Sequence, residues 1–427
     1  MADIAVIGAG YVGLTTGTCL AHLGHNVTIA DIDEVKVQEL TEGEVPIFEP
    51  GLSELLTEGI KNGNLKFVVG AVSASRNAAF HFLCLPTPPN PDGSTNMEYF
   101  SSAIEEIKDI LPPNSVIVNK STLPVGTASQ LKKQIQRTDV EIVSNPEFLS
   151  EGNAVQDFLH PSRIVIGAES QEAATRVAAL FSDIDATTQI TGTESAELIK
   201  HTANAFLAMK LTFINEIATL CEVVGANVLD VAEGIGYDPR IGSTYLRPGP
   251  GWGGSCFPKD SASLLQTANK AGFDFELLEK AITLNQTHLQ RTAQKVIDAL
   301  PEGKEIEKSK IAVLGLTFKA GTDDLRSSPS LAVIEYLLDL NAHVSAYDPM
   351  VNLPIEDKSK IEITSTAYEA ANNADALVIL TEWEEFADLN YERIHEAMCH
   401  PVVVDARNLL NPQDLEQQGF QYIGLGQ

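Results

Sequence analysis

The sequence predicts an α/β protein in which two doubly wound parallel-sheet domains are joined by a central domain built on one long helix. Three observations carry this. Near its start the chain passes from a short apolar stretch through a glycine turn into a helical pattern. From about residue 195 to 224 a helical periodicity runs without a strong breaker, and beyond residue 300 apolar strand stretches begin again. At 427 residues the chain exceeds what one core ordinarily serves. Boundaries are expected at 1–194, 195–300 and 301–427, with both outer domains Rossmann-like.

The first element is the run Ile4-Ala-Val-Ile7, followed by Gly8-Ala-Gly10-Tyr11-Val12-Gly13 and a helix to about Gly24. Val27 to Ala30 forms the next strand and ends in Asp31, at the distance where a dinucleotide fold places its ribose-binding acid. Gly8, Gly10 and Gly13 let a pyrophosphate approach the backbone and the helix N-terminus, where unpaired N–H groups favour an anion. Asp31 would accept from both ribose hydroxyls and repel a 2′-phosphate, which points to NAD rather than NADP. Further strands are expected at 65–69, 80–85, 116–119, 141–144 and 164–166, with helices between most of them, as in a parallel sheet closing near residue 190. Loops after such strands, at Thr87, at Ser121-Thr122 and at Asn145-Pro-Glu147, should open on the cofactor side.

In the central part, Leu198, Phe206, Met209, Phe213, Ile217 and Leu220 recur at three- and four-residue spacing and predict one long helix. A second helical stretch is expected from Ser261 to about Leu300. Pro301-Glu-Gly-Lys-Glu marks the last boundary, after which 310–315, 344–348, 376–380 and 402–404 supply strands. Gly315-Leu-Thr-Phe-Lys319 breaks the glycine pattern, so this sheet should serve another ligand.

Composition narrows the partners. With 58 acids against 29 bases the formal charge is -29, which argues against sequence-independent nucleic-acid binding. The five cysteines, Cys19, Cys84, Cys221, Cys256 and Cys399, show no CxxC pair, which disfavours a zinc site or a disulfide scaffold and suits a reducing, cytoplasmic setting. Met-Ala-Asp leads straight into a strand with no basic leader, and no apolar run reaches the ~18 residues of a membrane span. A soluble protein is expected, with no metal.

One thiol stands out. Cys256 follows Gly253-Gly254 and precedes Pro258-Lys259-Asp260. As a nucleophile it would need help to ionise, which Lys259 could give, while the glycines would let a substrate carbon approach. The competing reading is a small buried hydrophobe. Lys200 and Asn204, four apart on the long helix, share a face and could hold a developing oxyanion, unless that face is simply solvated. Glu147 and Glu151 repeat the four-residue spacing and could activate a water between them, or be ordinary surface acids.

Taken together, these motifs resemble the UDP-glucose/GDP-mannose dehydrogenase family over nearly the whole length. The carriers are Gly8 to Gly13, Pro46-Ile-Phe-Glu-Pro-Gly-Leu52, Ser121-Thr-Leu-Pro-Val-Gly126, Asn145 to Glu151, Lys200 with Asn204, Gly251 to Asp260, Phe318-Lys-Ala-Gly-Thr-Asp-Asp-Leu-Arg326 and Val404-Asp-Ala-Arg407. The resemblance implies a four-electron oxidation of a sugar-nucleotide primary alcohol to a carboxylate by two NAD molecules, with Cys256 forming first a thiohemiacetal and then a thioester. It implies that Lys200 and Asn204 stabilise the oxygen, that Asp260 positions water or proton, and that Glu147, Glu151 and Thr122 line the hydrolytic side. For NAD it implies Tyr11, Val12, Asp31, Lys36, Thr87, Thr122, Glu151, Lys259 and Arg326. For the nucleotide sugar it implies Glu147, Phe148, Leu149, Ser150 and Glu151, then Tyr245, Leu246, Arg247, Pro248, Gly249 and Gly253, then Phe318 and Lys319, with Arg240 supplied by a neighbouring subunit. UDP-glucose is the expected substrate and a homodimer through the central helix the expected assembly. GDP-mannose is the rival sugar nucleotide, kept open by Arg247; a two-electron hydroxyacid dehydrogenase, which would not need Cys256, is the rival chemistry.

Overall fold

The computed structural model describes residues 1–351 and 360–427. These group into two compact units, one of Met1–Ala203 with Ala262–Phe273, the other of Asn204–Ser261 with Asp274–Gln427.

In the first unit, short apolar runs become the strands of one sheet: β1 (Asp3–Ile7), β2 (Asn26–Asp31), β3 (Leu65–Val69), β4 (Phe80–Leu83), β5 (Val116–Asn119), β6 (Glu141–Ser144), β7 (Arg163–Ala168) and β8 (Thr187–Thr191). Their order is β3-β2-β1-β4-β5-β6-β7-β8. The strand order reverses between β1 and β4, and the crevice at the carboxyl ends there is where doubly wound sheets take ligands. Val6, Phe82 and Val118 lie in the core on one face, with Leu83, Ile104 and Ile117 on the other, as a sheet covered on both sides requires. The expectation of a parallel sheet holds for all pairs but one. β7 runs antiparallel to β6, because the connection 145–162 holds only the short helix Ala154–Leu159 and makes no full crossover. β8 itself, Thr-Thr-Gln-Ile-Thr, is exposed along its length and carries no apolar run that would announce it.

The second sheet consists of β9 (Lys310–Leu314), β10 (His343–Tyr347), β11 (Ile361–Ile363), β12 (Ala376–Ile379), β13 (Val402–Asp405) and β14 (Gln421–Gly424), in the order β11-β10-β9-β12-β13-β14. It repeats the topology of β1 to β6 with every pair parallel. Its core joins Val313, Val378 and Val404 to Val333, Ile334 and Leu337 of the helix Pro329–Asp339 and to Ala293 and Val296 of the helix Glu276–Asp298.

The long central helix runs from Thr193 to Val224. The expected helix from Ser261 to about Leu300 is instead two, Phe257–Lys270 and Glu276–Asp298. Gly272 has a left-handed φ of 74°, and the Phe273 N–H turns back to the Ala268 carbonyl at 2.9 Å, which satisfies that helix end and stops it. Among the described residues no helix is long and apolar enough to cross a membrane.

Candidate active site

The glycine turn of the first unit is shaped by backbone contact. A side chain at Gly13 would come within 1.8 Å of the Gly8 carbonyl, and one at Gly8 within 2.4 Å of the Cys84 carbonyl, whereas nothing lies within 4 Å of the Cβ position of Gly10. Gly10 caps the helix Tyr11–His22 with no side chain to satisfy its first N–H groups. That leaves open space over unfilled donors, the cradle a dinucleotide diphosphate fits. At the end of β2, Asp31 accepts from the Ala9 N–H at 2.9 Å and the Asp33 N–H at 3.1 Å, and Lys36 lies 3.4 Å away. Burial works against ionisation of Asp31, but these N–H groups and Lys36 outweigh it and hold the carboxyl below the usual range. It is therefore an anion at neutral pH with the rim placement a ribose diol requires. Thr87 donates to the Thr122 carbonyl at 3.2 Å, so the loops after β4 and β5 are tied together.

Next to these loops the structure resolves two open questions. Lys200 is not on a solvated face: it is 3% exposed and forms an ion pair with the buried Glu147 at 2.9 Å. Phe148 stacks beneath both Lys200 and Arg163. The four-residue spacing of Glu147 and Glu151, however, is not a helical register. Residues 145–150 have no helical backbone, since Pro146 disfavours it at Asn145, and Glu147 bends to accept from the Leu149 N–H at 2.6 Å. Ser150 is exposed and Glu151 half-buried in the turn that follows.

Sequence reasoning passed over Lys120. Its ammonium is buried, donates to Asn145 Oδ1 at 3.0 Å and faces the rings of Phe158 and Phe181. Burial pushes its pKa down to about 8, with the nearby charge of Lys200 in the same direction and Cys84 and Glu147 opposing. Glu197, one turn before Lys200, was missed likewise. It accepts from the Gly126 and Ala128 N–H groups and from Ser144, anchoring the start of the helix Thr127–Ile135.

In the second unit Cys256 stands immediately before the helix Phe257–Lys270, and its carbonyl accepts the Asp260 N–H at 2.8 Å, making it the N-cap. The positive end of a helix dipole favours a thiolate. Cys256 is only partly buried, unlike Cys19, Cys84 and Cys221, which tells against a packing role. Asp260, fully buried, receives the Asn204 amide at 2.6 Å and Lys259 at 2.7 Å. Lys259 is thus held by Asp260, three residues after the thiol. The glycine pair has a packing cause in addition to the one expected. A Cβ on Gly253 would meet the Ser327 carbonyl at 2.0 Å, and one on Gly254, whose φ is 79°, the Phe318 ring at 2.7 Å. Packing on the 318–329 segment, rather than clearance for substrate alone, fixes these residues as glycine.

The predicted sugar-nucleotide residues partly converge within this unit. Gly249 donates to Asn215 Oδ1 at 3.0 Å and its carbonyl meets His288 Nε2 at 2.8 Å, while Asn285 clamps both backbone groups of Trp252. Tyr245, at a left-handed φ of 62°, turns its ring onto Phe257, next to the thiol. Leu246 and Pro248 are buried, and the exposed Arg247 donates to the Asn408 carbonyl at 3.1 Å. Lys319 lies over its neighbour Phe318. Arg407 reaches the Leu380 carbonyl, the Phe318 carbonyl and Glu382, so a second cation joins Lys319 near this turn. Arg240 and Arg326 are both exposed and each folds onto a local acid, Asp238 and Asp324. At the end of β10, Asp348 occupies the place Asp31 has in the first sheet. It is fully buried and accepts from Leu316 N, Thr317 N and Oγ1, and Trp383 Nε1, so this carboxylate is not presented to a ribose.

Three family models cover the chain in sequence: the NAD binding domain of the UDP-glucose/GDP-mannose dehydrogenase family over residues 2–185, its central domain over 194–287 and its UDP binding domain over 312–412. A UDP-glucose 6-dehydrogenase of Rhizobium meliloti is 44% identical over 99% of each chain. Among solved structures, a UDP-glucose dehydrogenase from Pyrobaculum islandicum matches with a TM-score of 0.89 at 31% identity, covering 100% of this chain and 98% of that one. A UDP-D-ManNAc dehydrogenase from Pyrococcus horikoshii also matches at 0.89, with 28% identity and 99% of both chains covered. With the glycine cradle and Asp31 on one sheet and the N-capping thiol beside Asp260 on the other unit, the chain belongs to the UDP-glucose/GDP-mannose dehydrogenase family and is an NAD-dependent nucleotide-sugar dehydrogenase.

Proposed function

We propose that the chain oxidises UDP-glucose at C6 to UDP-glucuronate in two steps, with Cys256 carrying the intermediate. The observation that carries this reading is Cys256 at the N-terminus of its helix with Asn204, Lys259 and the buried Asp260 gathered behind it. A two-electron alcohol dehydrogenase has no use for such a thiol. The fold does not separate the sugars, since it superposes equally on relatives named for UDP-glucose and for UDP-D-ManNAc; the identity of 44% to a UDP-glucose 6-dehydrogenase favours glucose.

Gly8, Gly10, Gly13, Tyr11, Val12, Asp31, Lys36, Thr87, Thr122, Glu151, Lys259 and Arg326 would hold NAD. Bound NAD supplies the hydride acceptor for each oxidation. Lys200 and Asn204 hold the substrate oxygen as charge develops on it. Cys256 Sγ then adds to the aldehyde carbon, its proton passing to the carbonyl oxygen, which gives a thiohemiacetal. Loss of a hydride and the hydroxyl proton from that adduct leaves a thioester. Water, oriented by Asp260, Thr122, Glu147 and Glu151, adds to the thioester carbonyl; the C–S bond breaks, and the thiol and the carboxylate are released. Phe148, Leu149, Ser150, the 245–249 segment, Gly253, Phe318 and Lys319 bind the nucleotide sugar. The three-part division at 194/195 and 300/301 belongs to the same reading, as does a cytoplasmic setting.

One feature of the central helix supports a homodimer. Phe206, Phe213 and Leu220 recur every seven residues and are each more than half exposed, an apolar seam of the kind a second helix covers. Arg240, 87% exposed at its side chain, would then serve the neighbour's substrate.

The test is an assay of NADH per sugar with UDP-glucose and GDP-mannose side by side. Two NADH per UDP-glucose, and loss of net acid formation in Cys256→Ala with NAD binding kept, are expected. One NADH per sugar, or wild-type turnover in that variant, sinks the thioester route; preference for GDP-mannose sinks the substrate assignment.

A further inference from the structure

We infer that Glu49 is a positioning residue for Glu151, tying the turn that carries it to the first residue of the cofactor-binding helix. Glu49 lies between the helices Glu34–Glu42 and Leu52–Asn62, far from any reacting atom in sequence, yet it is 6% exposed. An acid is so buried only where its oxygens are satisfied. Here all the contacts are within the first unit. One oxygen accepts from the Ala154 N–H at 2.7 Å; the other accepts from the Gly152 N–H at 2.8 Å and from the Tyr11 hydroxyl. The Tyr11 oxygen also receives the Gly152 N–H at 2.9 Å.

These contacts bracket Glu151. On its other side the Ser150 N–H is held by Asp157 at 2.8 Å, and the Asn153 amide reaches the same acid. Gly152, at a φ of 80°, makes the turn between the two anchors. The backbone is therefore held by carboxylates on either side of Glu151: Asp157 takes the N–H of the residue before it and Glu49 the N–H of the residue after it. Tyr11 extends the second anchor into the glycine turn, being the first residue of the helix that Gly10 caps. Burial, Glu49 and the charge of Glu151 all push the Tyr11 phenol upward, so Glu151 lies within electrostatic reach of this link. Two functions meet at one carboxylate: Glu49 couples the seat of the cofactor diphosphate to the acid proposed to handle water.

This rests on the thioester route of the proposed function, and the experiment separates the two. Glu49→Gln keeps the shape but sets an amide N–H₂ against one of the two backbone N–H donors, which unpins the turn. In rapid-mixing measurements with UDP-glucose and NAD, the rate of the NADH burst should change by less than about 3-fold. The steady-state rate should fall about 10- to 100-fold, the scale expected when a catalytic group shifts by about an ångström. The Cys256 acyl adduct should rise in intact-mass spectra of the quenched enzyme. Asp157→Asn, a change at a half-buried site outside the core, should produce the same split to a smaller degree and serves if Glu49→Gln fails to fold. Burst and steady state falling together in whichever variant folds, or staying at wild-type values, overturns the assignment of Glu49 while two NADH per sugar from the wild type leaves the thioester route standing. One NADH per sugar and no adduct in the wild type overturns both.

Discussion

Lys200 and Glu147 form an ion pair at 2.9 Å with side chains 3% and 6% exposed. Removing one member of a buried pair costs about 3–5 kcal/mol, because the other charge stays behind without its counter-charge, whereas removing both is far milder. Glu147→Leu should thus lower the thermal midpoint strongly, and Lys200→Met in the same chain should restore part of it. Differential scanning calorimetry of both single variants and the double variant reads this directly. Additive losses would show that the pair contributes no coupling and that each side chain is held by other contacts.

A pH dependence follows from Lys120. With its folded pKa pushed down to about 8 by burial, and an unfolded value of about 10.4, the unfolded chain binds more protons than the native one between these limits. Stability contributed through this group therefore rises with pH across that window; below pH 8 the full penalty, about 3 kcal/mol, is present. Lys120→Met removes the titration, so the wild type should gain stability on the variant between pH 7.5 and 9.5. Urea unfolding of both proteins at several pH values measures that difference, and parallel pH curves would contradict it.

On the proposed reading, Asp31 selects NAD. Its carboxylate is held ionised at the strand end by Ala9 N, Asp33 N and Lys36. Exchange for Asn removes the charge while keeping an acceptor, so kcat/KM for NAD should drop about 10- to 100-fold, the worth of charged hydrogen bonds of roughly 1.5–3 kcal/mol. NADP should improve relative to NAD, since the repulsion of its 2′-phosphate is gone. An unchanged ratio of the two cofactors would place the ribose elsewhere.

These sites were unequally legible in the sequence. Apolar runs such as Ile4 to Ile7 and Val402 to Val404 announced their strands because both faces of each sheet are covered, and the glycine turn with Asp31 announced its ligand because spacing alone defines it. Thr187–Thr191 gave no such signal: it is a polar edge strand whose pairing with β7 depends on backbone groups. Spacing misled at Glu147 and Glu151, where Pro146 replaces helix by extended loop. The contacts of Lys120, Glu49 and Glu197 were invisible because each is defined by a partner distant in the chain, as Glu49 is by Gly152 and Ala154, 103 and 105 residues on. The packing constraint on the glycine pair was not legible, since Ser327 and Phe318 lie some seventy residues away in sequence.

That constraint yields the last prediction. At Gly253 an added methyl would lie 2.0 Å from the Ser327 carbonyl, a backbone atom that cannot swing aside as a side-chain tip can. Gly253→Ala must therefore displace the thiol loop, the 327 segment or both, and overpacking of this kind costs about 1–3 kcal/mol. The thiol is three residues on. Because a shift of about an ångström at a nucleophile lowers the rate by about 100-fold, kcat should fall far more than the modest loss in thermal midpoint suggests, while the Kd for NAD, measured by fluorescence titration, should stay within about 3-fold of wild type. A variant whose kcat falls only in proportion to its folded fraction would show that the loop absorbs the methyl without moving Cys256, and that the glycine there serves packing alone.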